Sequence, residues 1–232
     1  MEKNTTVLGM SKSEKSLIIV VCIILGAAIG WFLPIIADWV LKLPVVPFEK
    51  LFIFIASFHH FWVSVVASIV GVIAGFILSL IVFSESLTAT VSDHQLKLVL
   101  GDSEKIIEKK DIYAVYMDNK NLVVLGQSSQ ELYREVFEIK SDAVRGAFHK
   151  HGYPWHEGDP FISEYQRWAD GHPDFPSGIN ALLGVRERAL KEEDKKTAKY
   201  LREDLAQLGV VIRDDRNGQY VRLSQGTDRC AK

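Results

Sequence analysis

The sequence contains little of what would mark a disulfide-rich scaffold or a familiar class of enzyme. It has 232 residues but only two cysteines, Cys22 and Cys230, and two such distant thiols do not make a disulfide framework. The phosphate-binding glycine loop, HExxH and GxSxG are all absent. No compact zinc spacing occurs among the histidines and aspartates of the middle region, which are His149, His151, His156, Asp159, His172 and Asp174. We therefore expect a protein that is not an enzyme, with no cofactor and no metal.

A strong excess of one charge is also missing. The chain has 27 lysines and arginines against 29 aspartates and glutamates, for a formal net charge of −2. Domains that bind nucleic acid as their main task are usually strongly basic. Within residues 84–232, the stretch from residue 182 onward is mildly basic, with 12 basic and 9 acidic residues. Composition alone therefore argues against a dedicated nucleic-acid binder.

Charge is almost absent from two long apolar runs. Residues 62–83 contain no ionisable side chain, and residues 16–36 form a second run of similar length. A helix of 22 residues, rising about 1.5 Å per residue, crosses the roughly 30 Å of hydrocarbon in a bilayer. We therefore expect a transmembrane hairpin at 16–85, with spans at about 16–37 and 62–83 and the lipid bilayer as a partner.

Each predicted span carries a GxxxG motif, formed by Gly26 and Gly30 in the first and by Gly71 and Gly75 in the second. Glycines four residues apart leave bare backbone on one face of a helix, where another helix can approach closely. These faces either pack the two spans of one chain together or join two chains in a homo-oligomer. The sequence leaves both arrangements open.

Two crossings place both termini on the same side of the membrane. The segment 1–15 has three lysines, and the connection between the spans has two. This bias favours cytoplasmic termini, a cytoplasmic tail at 1–15 and a location in the cell membrane. The apolar stretch 48–58 is either an interfacial segment or an early part of the second span.

After the second span the hydrophobic period becomes that of a strand. Apolar and polar residues alternate at 96–100, and about five short antiparallel strands are predicted in this region. Residues 141–142 are expected to cap a helix that buries Val144 and Phe148. A small bent sheet closed by one C-terminal helix resembles the plan of pleckstrin-homology-like (PH-like) domains, and we assign this domain to 86–156.

Residues 157–223 are predicted to form a tail domain, and residues 224–232 a flexible C-terminus. Asp159 and the proline after it are typical of a helix start, and such a helix would place the aromatic residues Phe161, Tyr165 and Trp168 on one face. The fold class that results is an α+β membrane protein, with a two-helix hairpin, a PH-like β domain, and a tail of helices and a β-ribbon.

The second half of this tail has the clearest local signals. Ser177 and Asp194 are expected to cap two antiparallel helices, and Gly209 to end the second. The strands 210–215 and 219–223 then flank Asn-Gly, which is a hairpin signal.

This stretch resembles the end of the anticodon-binding region of cysteinyl-tRNA synthetases. The pattern that carries the resemblance consists of Arg186, Ala189, Asp194, Ala198, Leu201, Arg202, Leu205, Gly209, Val210, Ile212 and Asp214. Lys195 and Lys199 depart from it. With its two spans, its PH-like sheet and GYPW at 152–155, the whole chain is similar to bacterial YqeB-like membrane proteins. No catalytic domain of a synthetase accompanies the tail.

The resemblance implies that Arg186, Arg188, Lys195 and Arg202 are candidate RNA contacts. Against this, residues 186–204 hold seven basic and six acidic side chains, which is typical of a solvated helical surface. Two functions follow from these alternatives. The preferred one is a non-enzymatic binding or scaffold module at the cytoplasmic face of the membrane, with a protein partner of unknown identity. The other is a membrane-anchored adaptor that binds tRNA or another RNA through its tail.

The predicted topology can be tested with Cys230. In intact cells, a membrane-impermeant thiol reagent should leave Cys230 unlabelled, whereas permeabilised cells should be labelled, because both termini are expected in the cytoplasm. A Cys22→Ser variant keeps the measurement specific for Cys230. Ready labelling of intact cells would contradict the topology.

Overall fold

The structure is a computed structural model that describes residues 4–40, 61–215 and 218–225. The segment 48–58 and Cys230 lie outside these residues. The chain divides into two compact units. One comprises Gly9–Thr88 and Val99–Ser103, and the other Met1–Leu8, Ala89–Leu98 and Glu104–Lys232.

Two long helices dominate the first unit. Helix α1 runs over Lys12–Val40 and helix α2 over Phe61–Ser84. Helix α1 begins earlier than the apolar run because Ser11 and Glu14 form a capping box: the Glu14 N–H donates to Ser11 Oγ at 3.2 Å, and the Ser11 N–H donates to a Glu14 carboxylate oxygen at 2.7 Å. Both helices are long and apolar enough to cross a membrane.

The two GxxxG faces lie against each other within this helix pair. A Cβ atom added to Gly26 would overlap the Gly71 carbonyl, and one added to Gly75 would overlap the Cys22 carbonyl. Gly30 faces Ala67 in the same way. The backbones can approach this closely only because these positions lack side chains. Of the two arrangements that the sequence left open, the structure describes the intramolecular one.

A four-stranded antiparallel sheet begins before the helix pair. Its strands, in the order β1-β2-β3-β4, are Thr5–Leu8, Leu87–Ser92, Gln95–Leu100 and Ser103–Glu108. Strand β1 pairs with β2 from Thr5 opposite Ser92 to Leu8 opposite Ala89. The prediction that residues 1–15 form only a tail is therefore wrong. The prediction that the sheet domain starts at residue 86 is wrong for the same reason. Four residues beside an apolar run are too few to show the period of a strand.

A three-stranded sheet and a helix complete this sheet domain. Strands β5, β6 and β7 are Ile112–Asp118, Asn121–Gly126 and Glu131–Val136, and α3 is Ser141–Lys150. The expected burial of Val144 and Phe148 on α3 is confirmed. Its cap is not: the N-cap residue is Lys140, and no side chain caps the helix. A helix follows the strands as expected, but within the described residues the strands of this domain form two sheets with seven strands in all, instead of one bent sheet of about five.

The tail module consists of β8, Gln166–Arg167; α4, Ser177–Lys191; α5, Lys195–Gln207; β9, Val210–Asp215; and β10, Gly218–Leu223. Its core contains Trp168, Phe175, Ile179, Leu183, Leu205, Val210, Ile212 and Val221. Asp194 caps α5 as predicted, because its carboxylate accepts the Thr197 N–H at 3.0 Å. Gly209, with φ of +76°, follows the end of that helix.

Two predictions for the tail are wrong. Ser177 is the first residue of α4 and the N-cap is Pro176, so the serine does not cap. The helix expected after Asp159 is a 3₁₀ turn at Ile162–Glu164, followed by β8. The reason is tertiary: β8 pairs with β10 through Gln166 and Arg167, and this pairing outweighs the local helix signal.

The close helix contact predicts the effect of a bulky residue at Gly26. Gly26→Ile should destabilise the purified protein in detergent by about 1–3 kcal/mol, because the side chain would overpack against the backbone of α2. Ala28→Ile is the matched control, since Ala28 lies on the exposed side of the same helix. Thermal unfolding of both variants measures the difference. Equal stability of the two would contradict the packing.

Candidate functional site

Arg186, the first candidate RNA contact, is buried. Only 3% of the residue is exposed. Its two terminal nitrogens donate to the two carboxylate oxygens of Asp214, each at 2.7 Å, and one of them also donates to Gln219 Oε1 at 2.6 Å. Its Nε donates to the carbonyl of Ala198. A guanidinium with this set of partners holds α4, α5 and the β9–β10 ribbon together.

Arg202, the second matched arginine, connects the tail module to the sheet domain. Its nitrogens donate to Asp214 at 2.5 Å and to the Ile212 carbonyl at 2.7 Å. A third interaction is an ion pair with Glu131 of β7 at 3.7 Å. Glu131 in turn accepts a hydrogen bond from Arg134 Nε at 2.8 Å, and Arg134 also donates to Asp118 at 2.8 Å. We call these six residues, Asp118, Glu131, Arg134, Arg186, Arg202 and Asp214, the arginine network.

The arginine network balances three positive against three negative charges in a largely buried place. Burial alone would raise the pKa of Asp214, but hydrogen bonds from Arg186 and the charge of Arg202 hold that pKa below its usual value. Burial lowers the pKa of Arg202, and Glu131 opposes this shift. For Arg134 the effect of burial is outweighed by Glu131 and Asp118, so its pKa is raised. Glu131 and Asp118 thus favour the charged form of the Arg134 guanidinium.

A second junction lies beside this network. The carboxylate of Asp159 accepts hydrogen bonds from the hydroxyls of Tyr116 at 2.9 Å and Tyr165 at 2.8 Å. Burial raises the pKa of both phenols, so they remain neutral donors. Arg222 of β10 is buried, stacks on Phe161 with 4.6 Å between its guanidinium carbon and the ring centre, and donates to the Ser129 carbonyl at 2.8 Å. This junction also joins the tail module to the sheet domain.

The other two candidate RNA contacts, Arg188 and Lys195, are exposed. They lie at the two sides of the turn between α4 and α5, close in sequence to Glu192 and Glu193. Arg186 of the shared pattern therefore builds the fold of the tail, whereas Arg188 and Lys195, which are not part of that pattern, lie on an exposed surface of mixed charge.

The histidines and aspartates do not assemble into a metal site. In the ranges 4–40, 61–215 and 218–225, no group of three or more His, Cys, Asp or Glu side chains is placed to hold a metal ion. His151 is buried and lies between Asp93, at 2.7 Å from Nδ1, and the Thr6 hydroxyl, at 2.8 Å from Nε2. The hydrogen bond with His151 lowers the pKa of Asp93. This contact links β1 to the end of α3.

Sequence reasoning missed Asp118, Glu131, Arg134 and Arg222 as members of these junctions. Their partners in other elements lie 16 to 93 residues away in the chain, so no local spacing reveals them. One signal was present. Arg186, Arg202 and Asp214 share one resemblance pattern, and a charge pair within a pattern of packing residues suggests a buried ion pair.

Comparison with known proteins decides the family. Residues 6–156 match the YqeB-like bacterial PH domain, a span that includes β1, both long helices and the two sheets. The chain belongs to the YqeB-like family. Over 221 residues it is 37% identical to the uncharacterized protein YqeB of Bacillus subtilis (strain 168), covering 95% of this chain and 92% of that protein. Residues 172–222 of this YqeB-like chain match the cysteinyl-tRNA ligase anticodon binding domain. No solved structure matches the chain.

The geometry of this YqeB-like protein predicts different roles for two neighbouring arginines. Arg186→Met should destabilise the protein by about 2–4 kcal/mol, because Gln219 Oε1 and Asp214 Oδ1 lose the guanidinium that donates to them, and Arg202 alone is left to pair with Asp214. The exposed control Arg188→Met should stay within about 0.5 kcal/mol of wild type. Chemical unfolding followed by hydrogen exchange of the amides in the tail module measures both. Similar stability of the two variants would contradict the structural role of Arg186.

Proposed function

We propose that this protein is a membrane-anchored, non-enzymatic scaffold whose sheet domain and tail module form one binding platform at the cytoplasmic face. The observation that carries the proposal is the arginine network, which uses charges of the tail to attach it to β7 of the sheet domain. Within this network Arg202 contacts Glu131 of β7, while Arg186 holds Asp214 in place on the tail side, so the tail is fixed against the sheet domain and is suited to support a platform.

The surface of the helix pair supports anchoring in the membrane. Large apolar side chains on both helices are more than half exposed, such as Leu25, Ile29, Ile69, Val70 and Ile77. An apolar surface of this kind is unfavourable in water and favourable in lipid. The backbone hydrogen bonds of a helix are satisfied within it, as hydrocarbon requires.

The position of the helix pair in the chain supports two crossings. Leu8 lies opposite Ala89 in the pairing of β1 with β2. The chain therefore leaves the sheet beside the point at which it returns. An even number of crossings satisfies this geometry, whereas an odd number would place the paired strands on opposite sides of the bilayer. Lys12 and Lys15, at the start of α1, favour the cytoplasm as the side of the sheet domain.

The RNA adaptor remains the second candidate because residues 172–222 match an anticodon binding domain. Two observations weigh against it. Arg186 and Arg202 are committed to Asp214 and Glu131, and the exposed Arg188 and Lys195 lie near acidic residues. Of the four candidate contacts, only Arg188 and Lys195 are then left to displace counterions from a phosphate backbone.

Crosslinking in native membranes, with identification of both protein and RNA partners, tests the proposal. We expect specific protein crosslinks that weaken with Arg186→Met and persist with Arg188→Met, because only the first variant loosens the platform. Purified full-length protein in nanodiscs should bind tRNA no more tightly than an equally charged control protein. Submicromolar tRNA affinity at physiological salt, lost when Arg188 and Lys195 are both changed to Ala, would instead establish the RNA adaptor.

A further inference from the structure

The edges of the two sheets in the sheet domain differ in how they are covered. The outer side of β5 is occupied by the chain itself, since the Val115 N–H donates to the Pro154 carbonyl at 2.9 Å and the His156 N–H donates to the Val115 carbonyl at 2.8 Å. Strands β4 and β7 are the last strands of their sheets, and no strand in the described part of the chain pairs with their outer sides. Within the described residues both edges are therefore unpaired, although side chains of the tail module contact β7 at Glu131 and Glu135.

A groove of about 530 Å³ lies between β4 and β7. Its lining includes Lys105, Ile106 and Glu108 of β4, Asp111 of the following turn, Gln130, and Leu132 of β7. Lys105 Nζ crosses from β4 and donates to the Leu132 carbonyl at 2.5 Å. This volume falls within the usual range of ligand sites, about 300–1,000 Å³. It lies wholly within one compact unit.

The groove combines an unpaired backbone with exposed apolar surface. Every residue of β4 except Ile107 is exposed, and Ile106 is 52% exposed although it is a β-branched aliphatic residue in a strand. An edge strand presents N–H and C=O groups that another extended chain can pair with. Peptides that add to a sheet edge gain affinity from these backbone bonds and specificity from pockets that receive alternate side chains.

The charges in the groove favour one kind of peptide. Glu108 and Asp111 provide two carboxylates at one end, whereas Lys105, about 10 Å along the strand, is already bonded to β7. Glu108 pairs with Lys110 at 2.5 Å, but both side chains are more than half exposed. Such a surface pair stabilises little and is readily exchanged for a ligand cation. The carboxylates of Glu108 and Asp111 therefore favour a peptide that carries a positive charge at this end of the groove.

We propose that the groove between β4 and β7 binds an extended peptide segment of a partner protein, which adds to β4 as a fifth strand. The segment places an aliphatic side chain against Ile106 and Leu132, and a lysine or arginine two residues away beside Glu108 and Asp111. Residues two apart in a strand point to the same face, which fixes this spacing. The inference rests on the proposed scaffold function, and it specifies the chemical class of the segment that the scaffold binds.

The test uses full-length protein in nanodiscs and a library of nine-residue, threonine-rich synthetic peptides. Each peptide has one aliphatic residue and, two positions on, lysine, glutamate or threonine. We expect the lysine series to bind at least tenfold more tightly than the glutamate series. Methylation of alternate backbone amides should abolish binding, and a bound peptide should slow hydrogen exchange of amides in Ser103–Glu108.

A charge exchange locates the site. In the double variant Glu108→Lys with Asp111→Lys, the preference should reverse toward the glutamate series, whereas Glu138→Lys, at an exposed carboxylate outside the groove, should leave it unchanged. If the double variant still prefers the lysine series as the wild type does, the proposed location is wrong. Absence of binding by all three series would overturn the peptide site itself. Neither result would remove the protein crosslinks expected of a scaffold, so failure of the groove and failure of the proposed function are distinguishable.

Discussion

The arrangement of the sheet domain and the tail module depends on three arginines, one buried and two largely buried, that share three carboxylates. Ion pairs of this kind contribute little net stability compared with apolar residues of similar size, because the charges lose their hydration. Their value lies in geometry. Asp214 must meet Arg186 and Arg202 together, and Glu131 must meet Arg202 and Arg134, so a shifted tail would leave buried charges without partners. The network thereby selects one docking of the tail against β7.

The same interaction explains why a sequence pattern shared with tRNA-binding domains need not indicate RNA binding. Within that pattern Ala189, Ala198 and Leu205 are buried, Asp194 caps a helix, and Arg186 holds helices and ribbon together. Each of these roles belongs to the fold of the module. A fold can be shared by domains whose surfaces do different things, and function must be argued from the site.

Local signals made much of the fold predictable from sequence. The two apolar runs, the strands from residue 87 to 100, the cap at Asp194 and the break at Gly209 each depend on residues close together in the chain. What could not be predicted depends on distant pairing. Strand β1 becomes a strand only because residues 89–92 lie beside it, and the segment after Asp159 becomes extended because β10 pairs with it. The arginine network was hidden for the same reason: its members come from β5, β7, α4, α5 and β9.

Strand β1 also sets an order of events during synthesis. It is made first, but its neighbour β2 is made only after both long helices. At about 5–20 residues per second, the roughly 80 intervening residues take about 4–16 seconds. During that interval Thr5–Leu8 has no strand to pair with, and the sheet cannot close until the chain has returned from the second helix. Completion of the sheet domain is therefore coupled to completion of the helix pair, and a chain whose helices fail to form their hairpin would also lack a finished sheet.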